Sequence, residues 1–375
     1  MPVIQGRAFV RVDKRCALGN VTGCTRRPKR IVQLKTALPE QTGVLAAIGR
    51  TPLVRLERFL PQVPINVFAK LEYMNPGGSV KDRPALQMIQ DAMSAGMLRR
   101  GHLVIESSSG NMAIGLAQAC IYFGLRLICV VDPKATRQNL RILRAYGATI
   151  DLVAKPDPST GDFLSARLDR VRELVAVNPG AFWPNQYANK ANSQAHHRTM
   201  AEIVDASKGR VDYLFCSAST CGTVRGCAEY VRSNGLDTRI YAVDAVGSVI
   251  FGGARGKRLI PGHGSGICPP LFELWMAHRS IRVSDLECVT GCRRLLQHEA
   301  ILAGGSSGAV AIALEKVCHE IESGSTCVLI FPDRGDRYLD TVYRDQWVRR
   351  NLGSIPTSTR CDDTYGVPKI AAASF

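Results

Sequence analysis

Lys81 follows the small-residue run Asn75-Pro76-Gly77-Gly78-Ser79-Val80 and precedes DRPALQMI, whose apolar residues have helical spacing. Such a turn delivers an amine to a helix start, where the helix dipole and nearby backbone donors depress its basicity and make it a better nucleophile toward an aldehyde. A lysine in a first helical turn is ordinarily a solvated charge, so this position decides nothing alone. Two other stretches share its design. ESSSGNMAIGLA (106–117) sets Ser108, Ser109, Gly110 and Asn111 ahead of a helical run, as an anion cradle for a carboxylate or phenolate oxygen or as an elaborate N-cap. SASTCGTVRG (217–226) sets Ser219, Thr220, Cys221, Gly222 and Thr223 ahead of another, with donors that suit a phosphate although the pattern is neither a Walker A loop nor GxGxxG.

These loops need strands and helices to position them. From about Thr42 short apolar runs alternate with longer amphipathic ones, the signature of βαβ architecture. The predicted strands are INVFAKLE (65–72), HLVIES (102–107), RLICVVD (126–132), YLFCSA (213–218), IYAVDA (240–245) and CVLIFPD (327–333), and their near-continuous apolar character fits parallel strands covered on both faces. DRPALQMIQDAMSAG and GNMAIGLAQACIYFG read as helices closing on glycine. In such sheets ligands gather outside the carboxyl ends of the strands, which is where the loops above fall. The fold class is α/β, and 375 residues predict two domains.

Composition narrows the class further. No apolar run is long enough for a transmembrane helix, and MPVIQGRAFVRVDKRC lacks the apolar core of a secretory signal, so a cytoplasmic protein is expected. The 13 cysteines are scattered singly, as buried reduced thiols are, and neither Cys216 with Cys221 nor Cys288 with Cys292 forms repeated CxxC pairs, so no metal site is expected. Much of the +16 formal charge lies in RVDKRC and TRRPKR, and no nucleic-acid motif interleaves it with aromatic residues. Residues 1–40 read as a basic disordered extension and 351–375 as a loosely ordered tail. His196 and His197 invite an acid–base role, but a helix surface or packing role is the commoner one.

A lysine amine, an anion cradle and a phosphate cradle together are what a pyridoxal phosphate site requires. The chain resembles the fold-type II enzymes of the cysteine synthase and cystathionine β-synthase family, whose Schiff-base lysine sits in N-P-x-G-S-x-K-D-R, here 75-NPGGSVKDR-83. SSGN (108–111), the loop at 219–223, GGSSG (304–308) and PDRGDRYLD (332–340) match in the same order. The resemblance implies pyridoxal 5'-phosphate on Lys81, with Asn111 at its ring hydroxyl oxygen, Ser219, Thr220, Cys221, Gly222 and Thr223 at its phosphate, and Ser306 at its pyridine nitrogen. A neutral serine there makes the ring a weaker electron sink, which suits β-elimination. It also implies a homodimer, a large domain of 41–74 plus 187–350, a smaller mobile domain of 75–186, and the cofactor in the cleft between them.

Departures from the cysteine synthase pattern narrow the resemblance. T-S-G-N-T-G is here Ser108-Ser109-Gly110-Asn111-Met112-Ala113, and G-T-G-G-T is Ser219-Thr220-Cys221-Gly222-Thr223. With KLEYMNPGG, WPNQYANK and AVDAVGSVIFGG, these resemble the N-(2-amino-2-carboxyethyl)-L-glutamate synthases that begin 2,3-diaminopropionate synthesis for siderophores such as staphyloferrin B. Implied are O-phospho-L-serine and L-glutamate as substrates, a β-replacement through an α-aminoacrylate with Lys81 as general base, and substrate contacts from Ser108, Ser109, Gly110, Asn111, Met112, Tyr187 and Ser219. Tyr187 is equally readable as packing with one satisfied hydroxyl. A cysteine synthase or O-phosphoserine sulfhydrylase is the alternative. The cation for the glutamate side chain cannot be chosen from sequence among so many arginines.

Overall fold

The computed structural model describes residues 43–159 and 161–353, all within the compact unit Ala37–Phe375. The expectations for residues 1–40 and for the tail beyond 353 lie outside the described residues. Nine strands are present among these residues: β1 (Leu53–Arg55), β2 (Asn66–Leu71), β3 (Leu103–Ser107), β4 (Arg126–Val131), β5 (Thr149–Leu152), β6 (Tyr213–Ser217), β7 (Arg239–Ala245), β8 (Arg279–Val283) and β9 (Thr326–Phe331). They form a six-stranded sheet ordered β1-β2-β9-β6-β7-β8 and a three-stranded sheet β3-β4-β5. Every pairing is parallel except β1 with β2. The chain leaves the larger sheet after β2, builds the smaller one, and returns at β6.

The helices are α1 (Asp82–Ser94), α2 (Asn111–Phe123), α3 (Arg137–Ala145), α4 (Phe163–Val177), α5 (Ala191–Ala206), α6 (Gly222–Ser233), α7 (Asp285–Glu299), α8 (Gly305–Val317) and α9 (Asp345–Leu352). α2 closes on Gly124 in the left-handed conformation, φ 68°, whose N–H bonds the carbonyls of Cys120 and Ile121. α7 opens with a capping box between Ser284 and Glu287. β3 and β9 are buried along their whole length, as their apolar sequences require. β1, β5 and β8 were not expected, and all three are sheet edges: one side faces solvent, so TIDL and RSIRV carry no continuous apolar run.

α7 and α8 cross through glycine: a Cβ on Gly291 would run into the Gly308 backbone, and one on Gly308 into the Cys288 carbonyl and the Cys292 amide. This close crossing carries the start of α8, and with it Ser306, to the carboxyl edge of the larger sheet. No described helix is long and apolar enough to cross a membrane, and no group of His, Cys, Asp and Glu among the described residues could hold a metal ion.

Candidate active site

Loops at the carboxyl ends of β2, β3, β6, β7 and β9, together with the start of α8, build the site. The first holds Lys81, the N-cap residue of α1. Its turn is tied down by Asn75, whose amide donates to the Glu72 carbonyl (2.7 Å) and Glu72 Oε2 (3.1 Å) while its oxygen accepts from Gly49 N (2.8 Å). Gly78 takes φ 82°, a left-handed turn conformation suited to glycine. Val80 N donates to the Pro332 carbonyl (2.7 Å), which anchors the turn on the loop after β9. Arg83, two residues beyond the amine, is buried and grips Glu72 (2.7 and 2.8 Å) and Glu202 (2.6 and 2.8 Å), and Glu202 also accepts from the buried Lys70 (2.8 Å). Burial draws the Lys81 amine down to about pH 8, against the opposing influence of Cys216, Cys221 and Asp333. Desolvation is therefore the chief cause of the lowered basicity that the sequence reading ascribed to the helix start.

The loop after β6 turns into α6 through Cys221, a non-glycine residue at φ 66°. That conformation costs an L-residue roughly 1–2 kcal/mol. α6 has no side-chain cap, so its first N–H groups are left for another acceptor. A Cβ on Gly222 would collide with Asn192, which in turn donates to the Gln186 carbonyl (2.7 Å) and to Thr220 Oγ1 (3.1 Å). Thr223 Oγ1 pairs with His196 Nε2 (3.2 Å), whose Nδ1 pairs with Thr199 (3.1 Å). His196 is fully buried and burial keeps its pKa well below the usual value, so the neutral ring is a buttress for this loop and not a surface group. His197, one residue on, pairs with Glu229 (2.8 Å).

Lys81, Asn111, Ser219, Thr220, Cys221, Gly222, Thr223 and Ser306 line one pocket. Ser306 lies in the first turn of α8, a helix also without a side-chain cap, and Cβ atoms on Gly304 and Gly305 would collide with Asp333 and Ile260. Asn111 donates to Asp333 Oδ2 (2.8 Å) and accepts from Arg337, which also donates to the Gly77 carbonyl, while Tyr338 donates to Asp333. The PDRGDRY segment thus ties the start of α2 to the lysine turn, a role that the motif match had not disclosed.

The other expected contacts do not line this pocket. Ser108 Oγ accepts from Ala113 N (3.2 Å) and Gly110 N (3.4 Å), turned inward on the start of α2, and the Ser109 carbonyl accepts from Asn139 (3.1 Å). A Cβ on Gly110 would meet nothing within 4 Å. Met112, expected at the substrate, is 2% exposed and packed with Ala85, Met88 and Leu116, because its place in the first turn of α2 faces the apolar core. Tyr187 is partly buried, and burial raises its pKa against the charges of Arg167 and Arg258.

A pocket holding a partly buried amine of lowered pKa and the starts of two uncapped helices fits pyridoxal phosphate. The helix starts supply uncharged N–H donors for anionic oxygens, and Lys81 supplies the nucleophile. Over residues 44–333 the chain matches the family described as pyridoxal-phosphate dependent enzyme. It is similar to the solved structures of cysteine synthase from Entamoeba histolytica (32% identity, TM-score 0.76, covering 86% of this chain and 94% of that one). It is likewise similar to O-acetylserine dependent cystathionine β-synthase from Helicobacter pylori (31%, 0.76, 81% and 99%) and to O-ureido-L-serine synthase (29%, 0.74, 85% and 98%). Similarity of this extent places the chain among the pyridoxal-phosphate dependent enzymes of the cysteine synthase type, with pyridoxal phosphate as its cofactor.

Proposed function

We propose that the protein joins O-phospho-L-serine to L-glutamate, giving N-(2-amino-2-carboxyethyl)-L-glutamate and phosphate. The Cβ–O bond of phosphoserine breaks, and a bond forms between that carbon and the glutamate nitrogen. The observation that carries this reading is Arg258, a partly buried arginine that makes no ion pair with any described residue and packs against Gly264, two residues from the pocket residue Gly262. Both proposed substrates carry more negative charge than O-acetylserine or a neutral nucleophile, and cations in a partly dehydrated cleft favour such ligands.

Pyridoxal phosphate, when bound, supplies the electron sink that lets an amino acid lose its Cα proton and its β-substituent. Ser219, Thr220, Cys221, Gly222 and Thr223 at the head of α6 are assigned to its phosphate, Ser306 to its ring nitrogen and Asn111 to its ring oxygen. Lys81 holds the cofactor, then removes the proton from the substrate Cα and later returns it there, a task for which a pKa of about 8 is well placed. The hydroxyls of Ser108 and Ser109 are proposed to reach the substrate carboxylate when the segment 75–186 closes and excludes water. A homodimer and a cytoplasmic location belong to the same proposal.

The second reading, a cysteine synthase or O-phosphoserine sulfhydrylase, draws on the similarity to cysteine synthase. One experiment separates the two: holoenzyme with O-phospho-L-serine is given glutamate or sulfide separately, and the amino-acid product is identified by mass. A glutamate adduct supports the proposal, and cysteine alone overturns it.

A further inference from the structure

An amino-acid co-substrate with a second carboxylate needs a cation that the protein has not already spent on itself. The arginines of the site region are nearly all engaged. Arg83 is locked to Glu72 and Glu202, Arg167 pairs with Asp132 (3.2 Å), Arg337 bonds Asn111 and Gly77, and Arg334 lies 3.8 Å from Asp336. Arg258 differs. It is partly buried, its Nε is fully buried without a hydrogen-bond partner, and it makes no ion pair with any described residue. Burial pulls its pKa below the ordinary arginine range, and Arg198, the other arginine so affected, is 3.5 Å from Glu202.

The carboxyl groups that feel Arg258 are held elsewhere. Asp285 accepts from Leu259 N (2.8 Å) and Ile260 N (3.3 Å), Asp162 from Ser165 N (3.4 Å) at the start of α4, and Asp244 from Ala245 N (2.9 Å) through one oxygen while its Oδ2 is buried without a hydrogen bond; none of the three forms an ion pair with the guanidinium. An arginine left unpaired in a partly dehydrated place costs stability unless a ligand completes it. Its position also fits. The guanidinium lies against Gly264 and Gly266, where a Cβ would be 3.3 Å from Nη1 and Nη2 respectively. Gly264 N donates to the Ala218 carbonyl (2.8 Å), between the pocket residues Ser217 and Ser219, and Gly262 itself lines the pocket. The absence of side chains at 264 and 266 lets the loop backbone approach the fork closely.

We propose that Arg258 is the specificity residue for the second substrate, binding the side-chain carboxylate of an acidic amino acid beside the Gly262–Gly266 loop. This rests on the reading that an amino acid and not sulfide is the nucleophile. The test uses holoenzyme carrying Arg258→Gln or Arg258→Lys, with the visible cofactor band and the melting temperature of each variant compared with wild type. Phosphate release from O-phospho-L-serine alone is measured first, and then its acceleration by glutamate, glutamine and 2-aminobutyrate.

A charge-assisted bond of this kind corresponds to about a ten- to hundred-fold rise in the KM for glutamate in Arg258→Gln, with a smaller rise in Arg258→Lys. Glutamine, uncharged at that end, should lose far less, so selectivity for glutamate over glutamine collapses. An unchanged KM for glutamate in a variant that keeps its cofactor band overturns the assignment. So does a rise confined to the phosphoserine KM, which would give Arg258 to the first substrate. A wild-type enzyme that releases phosphate but accepts no amino acid sinks the parent reading instead, and that outcome is visible without any variant.

Discussion

Glu202→Gln tests the buried network behind the Lys81 turn. Glu202 Oε1 accepts from Arg50 N (2.8 Å) and Arg83 Nη1 (2.8 Å), and Oε2 from Lys70 Nζ (2.8 Å) and Arg83 Nη2 (2.6 Å). Whichever way a glutamine amide is turned, its NH2 faces two donors, so two bonds to this side chain are lost. The side chains of Lys70 and Arg83 are 1% and 3% exposed, so water cannot replace the missing acceptor. Breaking one partner of such a buried arrangement costs about 3–5 kcal/mol.

Proton linkage gives a second route to the magnitude. The donors hold the Glu202 carboxyl at about 2 instead of its ordinary 4.5, although burial alone would raise it. A carboxyl depressed by that much contributes about 3 kcal/mol above its unfolded pKa, and the contribution is lost as pH falls from about 4.5 through about 2. Urea unfolding at neutral pH should therefore show Glu202→Gln less stable than wild type by about 3 kcal/mol. At about pH 3 the gap should narrow to about half, since wild type has by then lost part of this contribution. Because Arg83 also holds Glu72, and Glu72 holds Asn75 in the Lys81 turn, the variant should bind pyridoxal phosphate more weakly as well. A variant within about 1 kcal/mol of wild type at neutral pH, or a gap that does not narrow in acid, would refute the reasoning.

Two further outcomes follow from other parts of the molecule. Lys81 is drawn down to about 8, so its protonated form is penalised by the fold and the neutral amine gains as pH rises through that value. The rate at which apo-protein captures pyridoxal phosphate, followed by absorbance, should rise about five-fold between pH 7 and 8 and less than about two-fold between pH 8 and 9; a continued steep rise to about pH 10 would mean an ordinary solvated amine. Gly308→Ala forces a methyl group into the Cys288 carbonyl at the α7–α8 crossing and should destabilise by about 3 kcal/mol in thermal or urea unfolding, with weakened cofactor binding through Ser306; a cost below about 1 kcal/mol would show that the two helices can part.

The sequence by itself determined the strands covered on both faces and the loops at their ends. Apolar runs such as LVIES and TCVLIF have no stable place except a doubly covered sheet, and turn residues before a helical run mark a helix start wherever the chain puts it. Lys81 and Ser219 to Thr223 stood out for that reason, and the fold brings them to one pocket with Ser306, which only the family resemblance had pointed to. The edge strands β1, β5 and β8 were not legible, because their exposed side removes the periodic signal, whereas the buried edge strand β3 was.

The tertiary structure alone decided what faces what. Whether Met112 meets a substrate or the core depends on which side of α2 the smaller sheet covers, and no local pattern carries that. Whether His196 is a surface group or a buttress depends on α6 lying against α5. The choice of Arg258 from the many arginines needed a count of partners contributed by residues far apart in the chain. A solvated arginine and a buried unpaired one have the same letter in the sequence, and only burial and the distance to the nearest carboxylate distinguish them.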